Sequence, residues 1–562
     1  MPICYVLAAG LALFIWKVPT TQVAAASVNG LVIAGTLLYI IFGAILLLNT
    51  LQVSGGLRAI RKGFTDITPD RRIQVIIIAW LFGTLMEAVS GFGTPAAICV
   101  PLLVGLGFPP MAAVVSGMII QSTPVSFGGA GTPIIIGVHN GLFGEEAVSN
   151  YVSSTGINDW HAFLSLIGAK VAVLHAMAGV LIPLILVSFL TRFYGKNKSF
   201  REGLRVWKFA LFAGLSMIIP YVITACVLGP EFPSLFGGMV GLAIVTTAAK
   251  KGFLMPPREN CWDFDKKENW DPEWLGKIEI NIDNEENNNM RLIKAWGPYL
   301  LVVLFLFLTR WKVLPLLKLV QSWTVTLPNL FGTEIIASFQ PLYLPGTIFI
   351  LVSLITYFIH RIDMASYRRA WADSIKTTLA ASTALVFTVP MVQVFINSYG
   401  GAANYPKMPI ALAEGVAALV GSAWPVFAPF IGGLGAFVAG SNTISNMMFS
   451  LFQFDLGQRI GVDPTWVVAL QAVGGAAGNM ICVHNIVAAS AVVGLLGKEG
   501  LVLRKTLLPF VYYSLLVGGA GYSIVWFSRY GVLNAGTIIV ILIAAAAIAA
   551  IRYGASNKEI GN

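Results

Sequence analysis

The sequence has 562 residues, 57% of them hydrophobic and 11% charged, against roughly 25% charged in ordinary soluble domains. That excludes a water-soluble globular protein, and runs such as 31–48, 171–190 and 538–551, which contain no Asp, Glu, Lys or Arg, imply a polytopic membrane protein in a lipid bilayer. The formal charge of +10 is spread over short clusters between apolar runs, a membrane-surface pattern rather than a nucleic-acid one, and no nucleic-acid partner is expected.

In chain order, apolar runs predict spans at 5–16, 23–51, 161–191, 207–228, 235–249, 296–309, 342–359, 372–396, 507–528 and 535–551, with two further stretches, 73–141 and 410–497, that are apolar but repeatedly interrupted. The first 16 residues lack the positive start of a secretory signal and are expected to stay as a membrane helix. Lys and Arg gather at 58–72, 192–208, 250–294, 361–369 and 498–505. The positive-inside bias places these, and with them the C-terminus, in the cytoplasm.

The connections 142–159 and 229–233 contain Glu145, Glu146, Asp159 and Glu231 but no Lys or Arg, and belong outside. Parity places 310–341 outside as well, although it carries Arg310, Lys312 and Lys318. The stretch 250–294 holds eight basic and ten acidic residues with an Asn-Glu-rich tract at 281–289. It has too little apolar content to bury a core and reads as a solvated linker. Five scattered cysteines show no ligand spacing, so no disulfide framework, metal or cofactor is expected. The expected division is 1–72, 73–141, 142–249, 250–295, 296–409, 410–497 and 498–562.

The two interrupted stretches run in opposite directions, inside to outside over 72–142 and outside to inside over 400–498. The first contains Ser90-Gly91-Phe92-Gly93-Thr94-Pro95, then Gln121-Ser122-Thr123-Pro124 and Gly128-Gly129-Ala130-Gly131-Thr132-Pro133. The second contains Gly440-Ser441-Asn442-Thr443-Ile444-Ser445-Asn446 and then Gly474-Gly475-Ala476-Ala477-Gly478-Asn479. Paired interruptions in opposed halves are the signature of an inverted-repeat secondary transporter. The fold class expected is therefore an all-α polytopic membrane protein of roughly 12 spanning helices, with two inverted repeats and broken or re-entrant helices.

Non-helical backbone at membrane depth is tolerated where protein buries it or where it lines a cavity. A half-helix starting at such a break points free N–H groups at its contents, which favours a carboxylate, and Ser, Thr and Asn add neutral donors. Gly and Ser in membrane helices also serve close packing; four patches in two matching pairs favour the binding role. The candidate substrate residues are Ser90, Gly91, Gly93, Thr94, Ser122, Thr123, Gly131, Thr132, Lys170, Ser441, Asn442, Thr443, Ser445, Asn446 and Asn479.

Intramembrane ionisable residues are costly and mark ion or proton pathways. Glu87, one turn before the first break, is a proton carrier or a satisfied structural carboxylate. Lys170 shares a helix face with His175, and either balances the substrate or Glu87 or snorkels to the interface. His139 and His484 follow the second break of each half, as substrate or proton groups or as hydrogen-bonded helix ends; His484 joins Glu87 as a proton-coupling candidate. Glu414, Asp455 and Arg459 read as interface or loop charges.

No H-E-x-x-H or G-x-S-x-G motif is present, and Gly494–Gly497 before Lys498 is followed by Glu499 rather than Ser or Thr, so neither an enzyme nor ATP-driven transport is expected. An anion channel and a sodium-coupled organic-anion carrier stay open as alternatives.

The residues Ile67-Thr68-Pro69-Asp70-Arg71-Arg72, Glu87, Gly91-Phe92-Gly93 and Leu102 to Phe108 resemble the bacterial L-lactate permease family, as does the stretch on to Pro133. So do Thr443, Ser445 and Asn446, Ile460-Gly461-Val462, Gly474-Gly475, Met480, Val493-Gly494-Leu495 and Gly497-Lys498-Glu499. The resemblance implies a proton symporter for L-lactate, D-lactate and glycolate in the cell membrane, within a superfamily of two inverted repeats. It also implies that Asn442 and Asn479 depart from the family's usual Asp and Lys, and that Cys482-Val483-His484-Asn485 replaces Ser-Pro-Gln-Ser.

Overall fold

Among the residues that the computed structural model describes (2–65, 67–91, 94–157, 159–276, 290–310 and 315–555), ten helices are long and apolar enough to cross a membrane. Counting the bent pair Met364–Ala380 and Leu385–Ile396 as one span makes eleven. These described residues are all-α apart from one short hairpin, as a bilayer demands of a chain whose backbone groups must be satisfied internally.

Two spans form the centre: the most apolar window of Arg71–Val89 is wholly buried and that of Pro464–Ala491 is 89% buried, against 6% for Ala535–Gly554 at the edge. Close approach needs small residues. A Cβ at Gly474 would stand 2.3 Å from the Pro429 Cα, and one at Gly478 2.6 Å from the Gly433 Cα, so helices Trp424–Ala439 and Pro464–Gly478 meet backbone to backbone. Helix Thr20–Val53 packs in the same way on Pro345–His360 and Met364–Ile396, through Gly43 against Gly346 and Gly30 against Pro390.

Helix Asn442–Arg459 is too polar to count as a span, yet it lies in the interior. Two of its polar side chains, Gln453 and Ser445, belong to a continuous chain: Trp424 Nε1 donates to Gln453 Oε1, Gln453 to Gln471, Gln471 to Ser445 Oγ, and Ser445 Oγ to the Gly432 carbonyl. A buried polar network of this kind is stable because its members are paired.

Three expectations change in detail. The apolar N-terminal segment is helical over Pro2–Gly10 and Leu11–Ile15, shorter than the roughly 20 residues of a full span. Within 310–341 lie a short helix, Leu316–Ser322, and an antiparallel pair of strands, Val325–Leu327 with Ala337–Phe339. The expected linker at 250–294 is docked over its first half. Arg72 pairs with Asp70 and donates to the carbonyls of Glu202 and Asn260, Trp262 N–H donates to Asp70, and Lys498 Nζ donates to the carbonyls of Pro272, Glu273 and Leu275. Phe264 lies against Phe108 and Trp274 against Tyr194. Overall polarity hid these aromatic anchors. The tract 281–289 lies outside the described residues. Arg459 pairs with Asp455 and Glu414 on the surface.

Candidate functional site

Each of the four patches interrupts a helix. Gly83–Ser90 ends at Gly91 with φ 63° and ψ −163°, a conformation open to glycine. After Pro110–Ile119 the chain turns through 120–127, then places Gly129, Ala130 and Gly131 in succession at φ 51°, 53° and 79° before resuming as Pro133–Val138. Left-handed backbone costs a side-chain-bearing residue about 1–2 kcal/mol, so Ala130 holds strain. A Cβ at Gly131 would fall 2.4 Å from the Pro230 carbonyl oxygen, which seats this break against the 229–233 connection.

In the second half, Trp424–Ala439 closes on left-handed Gly440, Ser441 is extended, and Asn442–Arg459 begins with no side chain capping it. Pro464–Gly478 then ends in a turn at Asn479 before Val483–Ala491.

These interruptions, about 390 residues apart at the extremes, meet around one small cavity. Its lining is Glu87 and Gly91 from the first break, Val125, Gly128, Thr132 and Pro133 from the second, Ser441, Asn442 and Thr443 from the third, and Asn479 from the fourth. Its volume is about 20 Å3, on the scale of one water molecule. Glu87 is the one ionisable residue in this lining. It is buried, its Oε1 faces Gly128 so closely that a Cβ there would come within 2.4 Å, and its Oε2 has no hydrogen-bond partner among the described residues.

Amides tie the breaks together. Asn446 Nδ2 donates to the Pro133 carbonyl at 3.1 Å, joining the third break to the second. Asn485 Nδ2 donates to Gln121 Oε1 at 2.7 Å and to Asn479 Oδ1 at 3.1 Å, joining the second to the fourth. The Oδ1 atoms of Asn442 and Asn446, one turn apart, both face Gly475 and are unpartnered among the described residues.

Behind the cavity runs a buried chain of hydrogen bonds. Ser126 Oγ donates to the Ala472 carbonyl at 3.1 Å, so in its 2.8 Å bond with His175 it accepts from the imidazole Nε2–H. That fixes His175 Nδ1 as acceptor from the Tyr513 hydroxyl at 2.6 Å. Tyr513 also bonds Thr123 Oγ1 at 2.9 Å, and Asn442 Nδ2 reaches Ser126 Oγ at 3.5 Å.

Of the candidates named from sequence, Glu87, Gly91, Thr132, Ser441, Asn442, Thr443 and Asn479 line the cavity. Ser122 donates to the Ile119 carbonyl, Ser445 to Gly432, and Thr123, Gly131 and Asn446 form the surrounding shell. Lys170 stands apart from the cavity lining: its Nζ bonds Asp463 and Thr465 and lies 4.9 Å from the Trp466 ring. Burial pushes the Asp463 carboxyl up, but hydrogen bonds from Lys170, Thr465 and Tyr151 and the charge of Lys170 outweigh it and hold the group below its ordinary value. His484 is exposed beside Gly440, and His139 accepts from Trp160 Nε1 at 2.6 Å. Gly93 lies outside the described residues, as do the side chains of Ser90 and Thr94.

Sequence reasoning passed over Gly128, Ser126, His175 as a network member, Tyr513 and Asn485. Gly128 had a signal, its place in the glycine-rich patch; Tyr513 and Asn485 had none, since their partners lie hundreds of residues away.

The helices and the polar cavity at their breaks define a polytopic integral membrane protein organised around one buried central site. The sequence model of the L-lactate permease family matches residues 1–526. The chain is 30% identical to a putative L-lactate permease of Haemophilus influenzae over 92% of both chains. It is 26% identical to the L-lactate permease of Salmonella typhimurium, covering 91% of this chain and 89% of that one. With the glycolate permease of Escherichia coli it shares 28% identity over 90% of this chain and 88% of the other. The chain belongs to the L-lactate permease family, whose named members are transporters.

Proposed function

We propose that this protein imports L-lactate and related small 2-hydroxy monocarboxylates, D-lactate and glycolate among them, by proton symport across the cell membrane. The observation that carries the reading is the convergence of all four breaks on one cavity that contains an uncapped helix start. The first N–H groups of Asn442–Arg459 have no intrahelical acceptor and carry the positive end of the helix dipole, so they suit a carboxylate. Ser441, Thr443 and Thr132 offer hydroxyls, and Asn442 and Asn479 offer amides, for the substrate's carboxylate and 2-hydroxyl oxygens. Relatives named for lactate and glycolate support that substrate class.

Glu87 takes the coupling proton in this account. An anion and a carboxylate cannot share a cavity of this size without a proton or cation between them, so protonation of Glu87 accompanies substrate entry and its release accompanies exit. The two interrupted regions act as inverted repeats that rock around the fixed site, which must widen to take the acid. The basic loops, the docked 250–276 segment and the C-terminus face the cytoplasm.

A second reading, sodium coupling, draws on the unpartnered Asn442 and Asn446 oxygens, which suit a hard cation. Uptake of labelled L-lactate into proteoliposomes, with an inside-alkaline gradient and no Na⁺, separates the two. Proton symport gives uphill, saturable uptake that glycolate competes and an uncoupler collapses. Uptake that requires Na⁺ and ignores the pH gradient would replace the first reading by the second.

A further inference from the structure

Helix Ala535–Ala555 lies at the edge of the bundle and turns Ala546, Ala547, Ala549 and Ala550 toward helices Ile182–Tyr194 and Glu499–Val525. Methyl groups do not reach across. They leave a groove of about 790 Å3 whose other walls include Leu184, Phe189, Leu508 and Tyr512, within the roughly 300–1,000 Å3 of pockets that hold small ligands. A groove this apolar at the lipid-facing edge is shaped for hydrocarbon.

Its ends are not alike. At one, the Arg192 guanidinium lies 5.7 Å from the ring of Phe200, a wall residue, and 5.9 Å from Phe193. Lys505 Nζ lies 5.0 Å from the same Phe193 ring, one turn before wall residue Leu508. The Arg201 guanidinium lies 5.9 Å from wall residue Tyr553. Arg192 and Lys505 make no ion pair among the described residues. Of the nearby acids, Asp271 and Glu273 act on Lys505 from the docked insert, and Glu202 is bonded by Asn197 and Trp262.

We propose that this groove binds an anionic glycerophospholipid. The acyl chains lie along the alanine face, and the phosphate sits between Arg192 and Lys505. Basic pockets between membrane helices recognise anionic headgroups in this way, and aromatic rings under the cations hold their stems in place while leaving the charge to the phosphate. The site is separate from the central cavity and does not depend on the transport reading.

The test uses the full chain, purified in neutral detergent and stripped of lipid, with phosphatidylglycerol or phosphatidylcholine of the same acyl chains added back. Bound lipid is counted by native mass spectrometry and the unfolding midpoint is followed. Phosphatidylglycerol is expected to bind about tenfold more tightly than phosphatidylcholine. The double variant Arg192→Gln/Lys505→Gln should bind the two lipids equally, and Ala546→Phe, which fills the groove, should weaken both. Equal binding of the two lipids by the unaltered protein, or a preference that survives in the double variant, would overturn the proposal. Should the double variant not fold, the unaltered protein's preference together with the Ala546→Phe result decides the matter.

Discussion

The two interrupted regions look alike in sequence and are built differently. The first half brings Glu87, positive-φ Gly91 and the two residues that flank a run of three left-handed ones, Gly128 and Thr132, to the cavity, so it supplies a carboxyl group beside irregular backbone. The second brings a regular helix start and the amides of Asn442 and Asn479, with no charge of its own. Under the proposed function, a proton site and an anion site would then sit side by side, each held by a different half, and relative movement of the halves would couple the two. In the proposed mechanism that asymmetry, rather than the shared glycine-rich texture, is what makes symport workable.

The comparison breaks first at Gly128, where the second break of the first half presses on Glu87. A Cβ there would stand 2.4 Å from Glu87 Oε1, and over-packing of this kind costs about 1–3 kcal/mol. Gly128→Ala is expected to abolish uptake while the protein still inserts, as measured by uptake against expression level. Wild-type uptake would mean that Glu87 has room to move aside and that the contact is not a constraint.

Lys170 sharpens the contrast from outside the cavity. Its partner Asp463 is 39% exposed at the side chain, so the loss in Lys170→Met should fall between the ~0–1 kcal/mol of exposed pairs and the ~3–5 kcal/mol of buried ones. The unfolding midpoint should drop while the KM for L-lactate holds. A KM raised tenfold with an unchanged midpoint would return Lys170 to the substrate.

A smaller effect is expected at Ala130, with the sign reversed. Ala130→Gly relieves left-handed strain of about 1–2 kcal/mol, offset by the added entropy of the unfolded glycine. Net stabilisation of up to ~1 kcal/mol should show in thermal unfolding; destabilisation would mean that the buried Ala130 methyl contributes more through packing than its backbone costs.

The breaks were legible in the sequence because bilayers forbid unpaired backbone and because the patches came in two matching pairs, which favoured a cavity-lining role over helix packing for Gly91, Gly131 and the Ser441-Asn442-Thr443 run. That the polar helix Asn442–Arg459 lies in the interior was not read from sequence, where Asp455 and Arg459 pointed to an interface or a loop. Lys170 was visible as an expensive charge, but its partner Asp463 is 293 residues away, and periodicity carries no information across that distance. The docking of the insert's first half was hidden because Trp262, Phe264 and Trp274 are few among many charges, and because its other contacts, to Asp70, Arg72 and Lys498, come from residues far away in sequence.

The division of labour between the halves is tested most directly by Glu87→Gln in proteoliposomes, comparing uphill L-lactate uptake driven by a pH gradient with exchange of internal for external L-lactate at equal pH. Glu87 as the proton group and the second half as the anion group predict that Glu87→Gln loses accumulation and keeps exchange. Accumulation driven by pH in Glu87→Gln, at the level of the unaltered protein, would contradict the account.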